Sequence, residues 1–187
     1  MRRHIFRKPY ADFVARLRVF LGFVMVAAFA YLSHPSALSL SIGLPISVGG
    51  LALRAWAAGH LRKNEALAES GPYAFTRNPL YLGTFIASLG FAAASRSLAL
   101  AILFALVFLL VYLPAIELEE QHLRSILPGY EAYAARVPLI TPRLTPADLH
   151  APQHFSFAQY RKNREYEALL AWGAAAAWLI ARLAFQF

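Results

Sequence analysis

Residues 97–116 read SLALAILFALVFLLVYLPAI and contain no Asp, Glu, Lys or Arg. A helix rises about 1.5 Å per residue, so roughly 20 apolar residues cross the hydrocarbon core of a bilayer. Three further charge-free runs cover residues 19–53, 78–95 and 168–181. The first is too long for one span, and Ser33-His34-Pro35-Ser36 breaks it into a hairpin. Spans are therefore expected at about 14–33, 37–57, 79–95, 97–116 and 168–187, the last requiring Arg182 to snorkel. The reading is an all-α, polytopic helical membrane protein with about five transmembrane helices, folded as one domain over residues 1–187.

Composition agrees: 59% of the 187 residues are hydrophobic and 15% charged, with a mean hydropathy of +0.47. A soluble helical core would need several nearly charge-free helices with no polar face. A cleaved signal peptide fits poorly, because the apolar run continues into a second span without a small-residue cleavage site. The net charge of +8 invites a nucleic-acid reading, but its distribution does not. Six basic residues lie in 1–18, four in 54–79 and six in 117–167, leaving only Arg96 and Arg182 elsewhere. By the positive-inside rule this places segments 1–13, 58–78 and 117–167 in the cytoplasm and marks attraction to membrane lipids, with no nucleic-acid partner. The absence of an organelle signal favours a bacterial inner membrane. Cysteine is absent, which removes disulfides, thiol nucleophiles and Cys-ligated metals. His60 and His122 share no metal-ligand spacing and read as interfacial polar residues.

Residues 1–18 read as a basic, partly amphipathic lead-in with Phe6, Tyr10, Phe13 and Leu17 at helical spacing. Pro45 is tolerable if it lies in the first turn of span two. Gly83 and Gly90 lie on one face of span three, suited to close approach by another helix or by a ligand chain. Pro114 should kink span four or loosen its last turn. Pro128-Gly129 stops its polar continuation, and Val137-Pro138 and Thr141-Pro142 mark an extended strip.

Polar chemistry gathers in two places. GPYAFTRNPLYLG, residues 71–83, sets a stiff turn and a fixed cation, Arg77, ahead of the helix start Asn78-Pro79. Glu119-Glu120 follows the next span, and the tight Ser95-Arg96-Ser97 turn is expected to bring Arg77 and the acids to one mouth. Adjacent glutamates on a helix point about 100° apart, so at most one faces a pocket well. Charged groups at the edge of a bilayer core are costly and usually functional, which points to an intramembrane enzyme.

The pattern GPY-x-x-x-R-N-P-x-Y-x-G, then L-E-E-x-x-L, then G-Y-x-x-Y-x-x-x-V-P, resembles the isoprenylcysteine carboxyl methyltransferase and phospholipid methyltransferase superfamily over roughly residues 50–143. The resemblance implies a membrane methyltransferase using S-adenosyl-L-methionine and a lipid-like acceptor. It implies that Gly71, Pro72, Tyr73, Arg77, Asn78, Pro79, Tyr81 and Gly83 contribute to the cofactor pocket. Glu119 and Glu120 correspond to the paired acids that bind the cofactor, and Tyr130, Tyr133 and Pro138 to the wall near the adenine. Arg77 and Glu120 are the expected catalytic residues, with the cofactor entering between Tyr73 and Tyr133 and the acceptor passing sideways along the Gly83/Gly90 face. Many members carry His where this chain has Asn78, and many carboxyl methyltransferases have a His where it has Glu65. Prenylcysteine is therefore not implied as the acceptor. Two alternatives stand beside this reading. One is a membrane reductase with a nicotinamide cofactor, for which the chain is short and lacks an added basic pocket. The other is a non-catalytic lipid-binding protein.

Overall fold

The computed structural model describes residues 8–147 and 154–185, with side chains from Phe20 onward. The side chains of the basic lead-in, and the last two residues of the fifth expected span, lie outside the described residues. The described residues form eight α-helices in order: α1 Lys8–Leu32, α2 Ala37–His60, α3 Pro79–Ser95, α4 Leu98–Val107, α5 Leu113–Ile126, α6 Tyr130–Arg136, α7 Phe157–Lys162 and α8 Tyr166–Phe185. The described residues contain no strand. Ala37–His60, Leu98–Ile126 and Tyr166–Phe185 are long and apolar enough to cross a membrane, and Phe20–Leu32 and Pro79–Ser95 are shorter apolar helices. The protein is thus a polytopic helical membrane protein.

A π-helical turn, Phe108–Tyr112, joins α4 to α5. Pro114 has no N–H and its ring crowds the carbonyl four residues back, so the ladder there must widen. It does so by one residue, the Leu113 N–H donating to the Phe108 carbonyl. The loosening expected from Pro114 therefore falls on its N-terminal side. Pro45 lies well past the first turn of α2, where it deprives the Ser41 carbonyl of its helical donor.

The chain forms two compact units. The first takes residues up to Ser47, Ser88–His122 and those from Ala175. Its core is Leu40, Ala94 and Leu179, ringed by Phe29, Leu44, Phe91 and Leu183, with Phe29 and Phe91 edge to face at 5.6 Å. The hairpin turn is closed by serines. Ser36 and Ser39 exchange backbone-to-hydroxyl bonds of 2.8 and 3.2 Å, and the His34 N–H reaches the Ser95 carbonyl at 2.8 Å. The Arg182 guanidinium donates to the Ala30 and Tyr31 carbonyls at 2.6 and 3.2 Å. A cation there satisfies orphan carbonyls and opposes the negative end of the α1 dipole.

The second unit takes Val48–Ala87 and Leu123–Ala174. The end of α2 is held by Asn163, whose Nδ2 donates to the Ala58 and Leu61 carbonyls at 2.9 Å each. Helices α2 and α3 touch backbone to backbone within each unit. In the first unit a Cβ on Gly43 would lie 2.4 Å from the Gly90 oxygen; in the second, one on Gly83 would lie 2.7 Å from the Gly50 oxygen. The Gly83/Gly90 face is therefore filled by a helix and leaves no room for an acceptor chain, which overturns the sideways path expected there. Small residues at a helix interface permit such close packing.

Adjacent glycines test this. A Cβ at Gly50 would meet the Ala87 nitrogen at 2.4 Å, whereas nothing lies within 4 Å of one at Gly49. Gly50→Ala should destabilise the protein by about 1–3 kcal/mol, and Gly49→Ala should stabilise it by about 0.5–1 kcal/mol. Thermal unfolding in one detergent reads both; equal shifts would deny the close α2–α3 contact.

Candidate functional site

The site loop begins with a 3-10 turn, Gly71–Ala74. Gly71 sits at φ +60°, and a Cβ there would lie 2.7 Å from the His60 ring. Glycine is thus required twice, by its backbone angle and by the imidazole against it. His60 is buried, 6% exposed, and its Nδ1 is 3.0 Å from the Trp56 carbonyl. A carbonyl only accepts, so Nδ1 carries the proton. His60 is therefore a packed support of the turn; His122 is exposed.

An extended strap, residues 137–147, runs along the loop and clamps it. The Arg77 N–H donates to the Pro138 carbonyl at 2.9 Å, the Arg143 N–H to the Phe75 carbonyl at 3.0 Å, and the Ala147 N–H to the Ala74 carbonyl at 2.9 Å. Buried Thr76 adds its hydroxyl to the Leu139 and Ile140 carbonyls at 3.2 and 3.0 Å. The Asn78 side chain donates to the Leu139 carbonyl at 3.1 Å, while the Asn78 carbonyl accepts from Leu82 as α3 begins.

Beneath the strap lies an aromatic cluster. Tyr130, Tyr133, Ala134, Val137 and Ala147 are buried, with Leu67, Leu123 and Leu127 packed around them. The Tyr133 hydroxyl donates to the Tyr73 carbonyl at 2.8 Å, and the Tyr130 and Tyr133 rings meet edge to face at 5.9 Å. Burial pushes the Tyr133 phenol far above the ordinary tyrosine range, with Tyr130 and Tyr73 adding to the shift and Arg77 opposing it. The expected entrance between Tyr73 and Tyr133 is therefore closed by their own hydrogen bond.

The expected site residues divide by what they do. Gly71, Pro72, Tyr73, Asn78, Pro79, Tyr130 and Tyr133 build and hold the loop, and Gly83 packs on α2. Arg77 and Tyr81 are half-buried on and just beyond the loop. Glu119 and Glu120, also half-buried, belong to the first unit, whereas Arg77 belongs to the second.

One cluster escaped the sequence reading. Arg54 holds Glu165 bidentately, Nε to Oε1 at 2.6 Å and Nη2 to Oε2 at 3.0 Å, and its Nη1 donates to the Thr84 hydroxyl at 2.5 Å. Glu165 is 6% exposed. The available signal was the charge ending a long uncharged run, Arg54, and an acid just before the last span amid Arg161, Lys162 and Arg164.

Fold and loop together define an integral membrane protein whose helices carry a rigid, cation-bearing loop at the head of α3. The chain belongs to the phospholipid methyltransferase family, which matches residues 17–129. It is similar to the cobalt-zinc-cadmium resistance protein CzcN of Cupriavidus metallidurans, 40% identical over 94 residues that cover 49% of this chain and 44% of that protein. It is also similar to the nickel-cobalt-cadmium resistance protein NccN of Alcaligenes xylosoxydans xylosoxydans, 37% identical over 113 residues, 59% of this chain and 53% of that one. The chain spans about half the length of these curated relatives. No solved structure matches it.

Two outcomes follow from the clamp. Thr76→Val, which removes the donor to two strap carbonyls, should cost about 1–3 kcal/mol and open the 137–147 strap to limited proteolysis; an unchanged digest would mean the main-chain bonds suffice. Tyr133 supplies a pH test. Its pKa is raised in the folded state, so its contribution is complete below the ordinary tyrosine range and declines as pH rises past about 10, where only the unfolded chain ionises. Tyr133→Phe should remove about 1 kcal/mol at neutral pH and flatten the alkaline limb of stability against pH; an unaltered limb would mean other groups set it.

Proposed function

We propose that the protein transfers a methyl group from S-adenosylmethionine to a lipid-like acceptor at the membrane, by carboxyl O- or amine N-methylation. The observation that carries the reading is the clamped loop: a half-buried Arg77 on a backbone held by Pro138, in a chain of the phospholipid methyltransferase family. S-adenosylmethionine, when bound, supplies an electrophilic methyl group. Its carboxylate calls for a fixed cation, and the half-buried charge of Arg77 fits that need by charge-assisted hydrogen bonds. The family pattern assigns its ammonium to the paired acids Glu119 and Glu120. Tyr133 and Asn78 act as positioning residues, since the Tyr133 hydroxyl and the Asn78 amide are engaged within the loop and strap.

Catalysis here rests on alignment and exclusion of water. A carboxylate acceptor needs no general base. An amine acceptor must lose a proton, and a glutamate takes it. Tyr133 is unsuited to that task, because burial keeps its phenol protonated. The relatives' names connect to this reading by one route: methylating a headgroup carboxyl removes a negative charge, and with it a cation partner, from the membrane surface.

We place the protein in a bacterial inner membrane with the loop and strap on the cytoplasmic side, supported by the clustering of basic residues and by bacterial relatives. Because the chain has no native cysteine, single cysteines at exposed His34 and Lys63 should label from opposite sides with an impermeant reagent; labelling from one side would sink this topology. For the activity, purified protein in nanodiscs with radiolabelled S-adenosylmethionine should place label in the extracted lipid. Arg77→Ala and Glu120→Gln should each weaken S-adenosylhomocysteine binding by one to two orders of magnitude, since losing a charge-assisted contact costs roughly 1.5–3 kcal/mol. Wild-type affinity in calorimetric titration of both variants would remove these charges from the cofactor site.

A further inference from the structure

Within the second unit, Val48, Leu51, Ala52 and Ala55 share one face of α2 at the spacing of successive helical turns, and they line a cleft of about 220 Å³. Leu169 on α8 and Tyr160 on α7 close its other side, and Glu165 stands at the start of α8. Ala52 and Ala55 hollow the wall, since larger side chains there would fill it. Val48 and Leu169 are 45% and 49% exposed, yet both belong to helices of membrane-crossing length. The surface they open onto is therefore in hydrocarbon, and an apolar cleft there is filled by what surrounds it. The charge in its lining is compensated, because Arg54 binds both oxygens of Glu165.

We propose that this cleft seats one hydrocarbon chain of a membrane lipid, and that this lipid is the methyl acceptor; the second half rests on the methyltransferase reading. The link to the loop is Arg54. The guanidinium that holds Glu165 at the cleft also donates to the Thr84 hydroxyl and to the Leu80 carbonyl at 3.5 Å, in the first turns of α3. Helix α3 starts directly after Arg77-Asn78. One side chain thus ties the lining of the cleft to the helix that carries the loop, so a chain bound in the cleft is held by the same scaffold as Arg77. Exposed Val48 and Leu169 at the cleft mark an entrance that needs no passage through water, in place of the Gly83/Gly90 face that α2 fills.

The test is photolabelling of the full chain in phosphatidylethanolamine–phosphatidylglycerol nanodiscs. They contain a phosphatidylethanolamine with a diazirine in its acyl chain, and adducts are mapped by mass spectrometry. Adducts should concentrate on Val48, Leu51 and Leu169 over Leu170 and Ile180, which are exposed apolar residues of α8 outside the cleft. Ala52→Phe, which fills the cleft from an exposed position, should lower cleft labelling about tenfold, the affinity equivalent of overpacking. It should retain S-adenosylhomocysteine binding, raise the lipid KM and leave kcat. Ala55→Leu repeats the test if Ala52→Phe does not fold. Even labelling across α8, or labelling unchanged in the filled variants, overturns the cleft site. Lost labelling with an unchanged lipid KM overturns the acceptor role. The labelling requires no turnover, so cleft adducts in a protein that methylates nothing would keep the lipid site and reject the methyltransferase reading. Methylation without cleft adducts would do the reverse.

Discussion

Three main-chain hydrogen bonds, from Arg77 to Pro138, Arg143 to Phe75 and Ala147 to Ala74, fix the loop on which the polar chemistry of the second unit depends. A loop at the head of an apolar helix has backbone donors and acceptors that neither a helix nor a sheet satisfies, and leaving them unmet near hydrocarbon is costly. The strap meets that demand from sequence about 60 residues away. Pro138 and Pro142 keep it extended and give it no N–H of their own at those points, so it offers carbonyls to Thr76 and Asn78. The consequence for Arg77 is mechanical. Its backbone is held in place by the strap at Pro138.

The same clamp explains why the aromatic residues sit where they do. Tyr133 reaches the Tyr73 carbonyl because the strap brings its cluster against the 3-10 turn, and the buried hydroxyl would be costly without that acceptor. Arg124 lies 5.6 Å from the centre of the Tyr130 ring and pairs with Glu131, so the outer edge of the cluster is finished by a cation over an aromatic face. The cluster is a plug under the loop.

Much of this was legible in the sequence, and the misreadings share one cause. Charge-free runs located the apolar helices, and Asn78-Pro79 marked the start of α3, because span length and helix starts are local properties. The family pattern and the extended Val137-Pro138 strip were legible for the same reason. Gly83 and Gly90 announced a close approach, but the identity of what approached depended on Gly43 and Gly50, some 40 residues earlier. The bond from the Tyr133 hydroxyl to the Tyr73 carbonyl was not legible, because an aromatic near a motif gives no sign of its partner. Arg54 and Glu165 were invisible as a pair because 111 residues separate them and no motif joins them. Periodicity and caps reveal an element; which elements meet is settled by packing.

The Arg54 cluster shows why a charge sits near the end of a helix that is otherwise uncharged. A guanidinium carries five donors in a planar fork, and here Nε and Nη2 face the two Glu165 oxygens while Nη1 faces Thr84 and Leu80. A lysine is a single point charge and could not span those partners at once. Desolvating such a pair offsets much of its attraction, so its net contribution to stability is small compared with the loss on removing one partner. What the pair supplies is register: α2, α3 and the start of α8 can each slide or rotate only by breaking a buried, directional bond. Loop, cleft and helix starts are thereby fixed to one another within the second unit.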